Sequence, residues 1–310
     1  MTLPNFLLIG VPRSGTTSLA HYLRQHPDVY MAPRKESTYW VFDGRPPRFT
    51  GPGDEIFARH IISDRREYEA LFDGVRHERA IGESSVYYFH QPSALARIEE
   101  ELPDVKVVVV LRDPIERAYS AFTLLQRDGR EVVDSFERAL ELEEERLRSG
   151  WEWAWGYRSA SMYAAATADV VRRFGERALF VRQDDLERDA HGVTSTIFEF
   201  LGVDPAFRPD VTARLNPGGQ ARSAGVQRMV TGGGLAQRMA AAVVPARLKG
   251  RVWHLVVHNN TRSVPISDAD RAVLAGAFEA DLADTAAILG ADLSDWARVP
   301  DPRTSEARGG

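Results

Sequence analysis

The stretch Phe6-Leu7-Leu8-Ile9-Gly10-Val11-Pro12-Arg13-Ser14-Gly15-Thr16-Thr17 decides the architecture. Residues 5–9 are an apolar run that predicts a buried strand, and Val11-Pro12-Arg13-Ser14-Gly15 cannot continue it as regular structure. A helix follows from Thr16 or Thr17, with Leu19, Tyr22 and Leu23 on one face, and His26-Pro27 stops it. The order strand, loop, helix is therefore written into the first 27 residues.

Outward from there, the same order recurs. Residues 80–83 form a second short strand candidate. Residues 105–111 form the strongest one, with five valines in seven positions and Lys106 as its only charge. A run that is apolar on both faces predicts a central parallel strand covered by helices. Asp113-Pro114 reads as an N-cap with proline at the first helical position. Ile115, Ala118, Tyr119, Phe122 and Leu125 then mark a helical face. Helical patterns are expected over 162–174, 194–201 (closed by Gly202) and 268–288, with a further strand over 178–181. Residues 41–55 hold three prolines and three glycines and predict a surface loop. Residues 131–149 predict an acidic helix with a solvated face. Residues 216–234, rich in Gly, Arg and Ser, predict a loop that orders on a ligand. Strands alternating with helices predict a three-layer α/β fold of P-loop-like type, with a mainly parallel central sheet, in one domain over 1–310.

Composition narrows the chemistry. The net charge of −5 argues against nucleic-acid binding by bulk charge. The absence of cysteine removes disulfides, thiolate metal sites and thiol nucleophiles together. The first apolar run is too short to span a bilayer, which needs about 20 residues, and lacks a basic leader. A cytoplasmic protein is expected. Lysine is scarce: Lys35, Lys106 and Lys249 are all there are.

Gly10 and Gly15 have the spacing of a phosphate-binding G-x-x-x-x-G loop. Backbone N–H groups in such a loop, with a helix N-terminus behind them, form an anion cradle. Thr16 stands where a Walker A lysine would be, and a cation, Arg13, lies inside the loop instead. The second motif is Leu111-Arg112-Asp113-Pro114-Ile115-Glu116-Arg117-Ala118-Tyr119-Ser120. Ligands in open α/β sheets bind at the carboxyl ends of strands, so Arg112 is expected to reach the same crevice as the first loop. A guanidinium fork and a hydroxyl suit a phosphate dianion. Arg117 reads as a salt-bridge partner.

The two motifs together resemble the sulfotransferases that use 3′-phosphoadenosine 5′-phosphosulfate (PAPS), of the bacterial, heparan-sulfate-sulfotransferase-like type. The first loop resembles the family's 5′-phosphosulfate motif K-x-G-T-T, with Arg13 in place of the usual lysine. By that resemblance Arg13, Ser14, Gly15, Thr16 and Thr17 hold the 5′ end of the donor, with Arg13 acting on the bridging oxygen. The second stretch resembles the 3′-phosphate motif R-[DN]-P-x-x-R-A-x-S, which assigns Arg112 and Ser120. Asn216-Pro217-Gly218-Gly219-Gln220-Ala221-Arg222-Ser223 resembles a late basic loop and adds Arg222 and Ser223. Tyr163 resembles a tyrosine near the nucleotide, with helix packing as its alternative. Pro33-Arg34-Lys35-Glu36-Ser37-Thr38-Tyr39-Trp40 resembles P-x-K-E-x-x-[FY]-[FW], where the glutamate is the general base, here Glu36. A salt bridge to Lys35 or Arg34 is its alternative role. Glu83 is the second candidate for the base; His90 and His26 rank below it.

The resemblance implies PAPS as donor, 3′-phosphoadenosine 5′-phosphate (PAP) as product, no metal, and a small-molecule or glycan hydroxyl as acceptor. Trp151-Glu152-Trp153-Ala154-Trp155-Gly156-Tyr157 is either a stacking surface for that acceptor or a packed edge. The rival readings are a non-catalytic nucleotide sensor and a P-loop kinase. The missing Walker lysine opposes the kinase.

Overall fold

A computed structural model describes residues 2–42, 44–45, 47–212, 220–221, 261–262 and 266–298, with backbone only at 220–221 and 261–262. Five strands build the main sheet: β1 (Phe6–Gly10), β2 (Val29–Met31), β3 (Ala80–Ser84), β4 (Lys106–Leu111) and β5 (Ala178–Arg182). Their order is β2-β3-β1-β4-β5 and every pairing is parallel. The chain lays β2 and β3 to one side of β1, then returns to lay β4 and β5 on the other. The seam between β1 and β4 is therefore the topological switch point, where open α/β sheets take ligands.

Alternation along the strands explains the three layers. Leu7, Ile9, Val107 and Val109 point into one buried cluster, and Phe6, Leu8, Val108 and Val110 into the other. Each valine buried in β4 contributes about 1.5–3 kcal/mol relative to exposure. The first face is covered by α4 (Pro92–Glu101), α5 (Pro114–Arg127), α7 (Ala164–Phe174) and the long C-terminal helix (Asp268–Leu289). The second is covered by α1 (Thr16–Leu23), α8 (Gln183–Arg188) and α9 (Ala190–Leu201). Gly82 is required by close approach: a Cβ there would lie 2.1 Å from the ring of Phe6.

The expected strands and helices occur with shifts of a few residues, one strand was not foreseen, and two expectations need correction. The edge strand β2 has only three residues, too few to carry a pattern. Residues 41–55 are not merely a surface loop. They end in the short α2 (Asp54–Ala58), with Gly51 and Asp54 buried. The acidic helix α6 (Phe136–Arg148) does not present only a solvated face. Buried Glu131, just before it, accepts from both terminal nitrogens of Arg146 (2.6 and 3.0 Å) and from the Tyr157 hydroxyl. Buried Glu143 accepts from the backbone N–H groups of Arg158 and Ser159. Capping follows the sequence closely: Asp113 accepts from Ile115 and Glu116 at the start of α5. Among the described residues no helix is long and apolar enough to cross a membrane.

Candidate active site

The loop after β1 closes tightly. Val11 donates its N–H to Val110 O, and the Ser14 hydroxyl turns inward to Val11 O at 2.6 Å. Ser14 thus contributes its backbone, not its fully buried hydroxyl, to any ligand. Gly15, at φ +83°, caps α1 with no side-chain acceptor. The first N–H groups of a helix lack intrahelical partners, so this turn offers donors and the positive end of the helix dipole to an anion.

Arg13 sits in the same turn at φ +73°. A non-glycine residue there costs about 1–3 kcal/mol. Its Nε donates to Ser120 Oγ at 3.0 Å, across from α5. Arg112, at the end of β4, donates to Arg13 O at 2.8 Å. The two motifs, about a hundred residues apart in sequence, are in direct contact. Burial pushes the Arg13 guanidinium down to about 10, with repulsion from Arg127 and Arg112 adding to it. It stays cationic at neutral pH. Arg112 Nε is buried and has no hydrogen-bond partner, and its terminal nitrogen is a loose 3.8 Å from Glu116. Crowded, partly unsatisfied guanidinium groups beside an open helix N-terminus fit a polyanionic ligand.

On the other side of β1, the segment after β2 carries Glu36. It and Thr38 also adopt left-handed backbone, at φ +56° and +49°. Glu36 N–H bonds Ser84 O, and its Oε2 accepts from Val86 N–H at 3.0 Å. Lys35 Nζ lies 3.8 Å from Glu36 Oε1 and donates to Thr17 Oγ1 at 2.9 Å. Lys35 therefore bridges the carboxylate and the first turn of α1. Burial raises the Glu36 carboxyl above its usual range, against the pull of Lys35 and the Val86 N–H. Burial also lowers the Lys35 ammonium, against the attraction of Glu36. The side chain of Glu36 is 25 % exposed. Arg34 pairs instead with Glu67.

Glu83 does not share this setting. It is fully buried and accepts from the hydroxyls of Ser37, Ser85 (2.8 Å), Tyr88 (2.8 Å) and Tyr68 (2.6 Å). Trp40 in turn donates to Tyr68 Oη. This carboxylate pins the segment after β2 to β3, and its geometry is structural. His26 and His90 are also committed. His26 bonds Asp204 O and accepts from Asp28 N–H, while His90 bonds Met162 O with its pKa pushed down to about 4 by burial. Tyr163 is buried and donates to Arg112 O at 3.0 Å, so it braces the strand end. Among the described residues Arg117 has no carboxylate partner. It is buried and donates to Ser161 Oγ and to the carbonyls of Gly156 and Tyr157. Arg222 and Ser223 lie outside the described residues.

Sequence reasoning left two features unremarked. One is the Lys35–Thr17 contact, whose only signal was a rare lysine next to Glu36. The other is an aromatic cluster around half-buried Trp153: Phe42 (5.7 Å between centroids, stacked), Phe49 (5.5 Å), Phe57 (6.1 Å) and Tyr87 (5.2 Å). Within the Trp151–Tyr157 run, Trp155 and Tyr157 are packed edges, whereas Trp153 keeps part of its surface. Among the described residues no group of three or more His, Asp or Glu could hold a metal ion.

An α/β fold with an arginine-bearing loop at its switch point defines a class, and comparison with known proteins names it. The family model described as "Sulfotransferase family" matches residues 4–208. A crystal structure of a sulfotransferase from Alicyclobacillus acidocaldarius is 34 % identical. It superposes with a TM-score of 0.76 over 96 % of this chain and 100 % of that one. The chain belongs to the sulfotransferase family. The sulfotransferase domain from the curacin biosynthetic pathway shares the fold (TM-score 0.50, 16 % identity, 94 % of this chain and 100 % of that one). Heparan sulfate glucosamine 3-O-sulfotransferase 3A1 of Mus musculus is 29 % identical over 204 residues, 65 % of this chain and 46 % of that protein. The membrane-associated sulfotransferase kil1 of Dictyostelium discoideum is 33 % identical over 122 residues, 39 % of this chain and 23 % of that protein. The chain thus spans under half the length of these two curated relatives.

Proposed function

We propose that the protein transfers the sulfuryl group of PAPS to a hydroxyl of a carbohydrate or natural-product acceptor, with Glu36 as general base. The observation that carries this reading is the contact of Arg13 with both Ser120 and Arg112. It brings the two motifs into direct contact at the β1/β4 switch point, which supports a shared nucleotide site. The unpartnered Arg112 Nε and the uncapped start of α1 suit the two phosphate ends of such a nucleotide.

The bound donor supplies an activated sulfuryl group on its 5′-phosphate, and the chain's residues do the rest. Backbone N–H groups of residues 14–17 and the Arg13 guanidinium hold the 5′ end and take up charge on the bridging oxygen as the S–O bond breaks. Arg112 and Ser120, with Arg222 and Ser223, hold the 3′-phosphate. Glu36 accepts the acceptor's hydroxyl proton on a carboxylate oxygen as the new O–S bond forms. Lys35 keeps that carboxylate ionised and sets its position relative to the loop. A base whose pKa is raised by burial is better matched to a hydroxyl proton at neutral pH.

The test pairs binding with turnover. PAP should raise the melting temperature of the full chain, and sulfur-35 PAPS should label a hydroxyl acceptor in a mixed panel. Binding without labelling would favour a nucleotide sensor. Neither binding nor labelling would overturn the assignment.

A further inference from the structure

Beside Glu36 stands an aromatic wall that no part of the donor reading uses. Phe42 and Phe49 come from the loop after residue 40, Phe57 from α2, Tyr87 from the 3-10 turn after β3, and Trp153 from the segment after α6. All five rings are half-buried. They therefore pack on one another without becoming core. The wall abuts the carboxylate: Val86 donates its N–H to Glu36 Oε2, and Tyr87 is the next residue. The charge of Glu36 is also felt at the Tyr87 hydroxyl, which burial pushes well up.

The wall is rigid by construction. Asp54 is fully buried and accepts from Gly51 N–H, Glu152 N–H, Trp155 Nε1 and Arg130. That pin ties α2, which carries Phe57, to the segment that carries Trp153. Arg130 lies between Asp54 (2.5 Å) and Glu152 (2.8 Å) and over the Trp155 ring. The polar atoms behind the rings are thus spent on each other, with one exception. Glu152 Oε2 is buried with no partner.

We infer that this wall is the acceptor subsite, and that it takes a hydroxyl borne on a flat, uncharged apolar body: an aromatic or polycyclic alcohol. The inference rests on the reading of Glu36 as the base, because that places the reacting hydroxyl at the wall's edge. Two arguments select the class. Ring faces bind planar apolar surface well, while Asp54, Arg130 and Trp155 Nε1 behind them are already hydrogen-bonded to one another and offer little to the many hydroxyls of a glycan. Arg130, the guanidinium over the Trp155 ring, is already paired with Asp54 and Glu152, so it is a poor counter-ion for a polyanionic glycan.

Calorimetric titration of the full chain with 2-naphthol, with and without saturating PAP, tests the subsite without requiring turnover. Trp153→Leu and Phe57→Leu should each weaken naphthol binding about tenfold and change PAP affinity less than about twofold. Trp153→Phe should retain most of it. A heparan-type tetrasaccharide should bind more weakly than naphthol. Unchanged naphthol affinity in both leucine variants, or tighter binding of the tetrasaccharide, overturns the subsite. If Trp153→Leu loses its melting transition, Phe57→Leu and Trp153→Phe decide the matter. Failure of PAP to bind the wild-type chain would instead strike the donor reading, and the titration without PAP would still judge the wall.

Discussion

The carboxyl edge of the sheet divides into two halves of opposite chemistry. The β1/β4 half presents Arg13 and Arg112, crowded enough to repel each other and held in contact through Ser120 and a backbone carbonyl. The β2/β3 half presents Glu36 and Glu83, one half-buried and one fully buried carboxylate on neighbouring segments. Burial raises the carboxyl of both. The difference lies in their partners. Glu83 is enclosed by four hydroxyls and faces no solvent. Glu36 has one backbone donor, one distant ammonium and an open side. A carboxylate surrounded by donors is a structural pin; one left partly open on strained backbone is available for proton transfer. Strain points the same way: among the described residues, Arg13, Glu36 and Thr38 are three of the four non-glycine residues at positive φ.

The sharpest way to break this comparison is Glu36→Gln. Turnover should fall by about 10²–10⁴, the contribution of a positioned general base. PAP affinity, measured by the shift in melting temperature, should be unchanged. If turnover survives, the two carboxylates have been given the wrong roles. The cationic half is tested next by Arg112→Ala. Loss of a charge-assisted donor pair costs about 1.5–3 kcal/mol of binding, so the PAP dissociation constant should rise roughly 10- to 150-fold in calorimetry. An unchanged constant would remove the 3′-phosphate from this strand end.

Glu83→Gln probes the opposite half in a different currency. Replacing the acceptor shared by Ser37, Ser85, Tyr88 and Tyr68 should lower unfolding free energy by about 1–3 kcal/mol. Denaturant titration reads this directly. Turnover per folded molecule should stay within about a few-fold of wild type. A folded, PAP-binding Glu83→Gln protein without turnover would transfer the base to Glu83.

The cationic half was more legible in sequence than the carboxylate half, for a physical reason. Arg13 and Arg112 each sit just after a long apolar strand, and parallel strands deliver their carboxyl ends to one edge. Position along the chain thus predicts position in space. β2 has only three residues, and the segment 33–40 follows it without regular structure. Whether Glu36 or Glu83 faces the cleft depends on hydroxyls from Ser37, Tyr68 and Tyr88, scattered over more than fifty residues. The aromatic wall was hidden likewise. The Trp151–Tyr157 run was visible, but the rings that meet Trp153 come from three other segments. The Asp54 pin that holds them lay in a stretch whose prolines and glycines read only as a loop. Arg117 misled because arginine in a helix ordinarily seeks a carboxylate. Here three neutral acceptors on the segment 156–161 satisfy it.

The finest test of the divide concerns Lys35, a cation that touches both halves. Its ammonium opposes the burial that raises Glu36. A carboxylate base must be ionised to work, so on the proposed role of Glu36 the acid limb of kcat/KM reports its carboxyl. In Lys35→Met burial acts unopposed by that charge, the carboxyl is held still higher, and the limb should move to higher pH. Above the limb, turnover should fall far less than in Glu36→Gln, because the carboxylate itself remains. Lys35→Arg keeps the charge and should return the limb toward its wild-type position. A limb that stays fixed in Lys35→Met would mean that the ammonium serves only the Thr17 turn. A limb that moves down would mean that the ionising group is not Glu36, since removing a neighbouring cation cannot make a carboxyl more acidic.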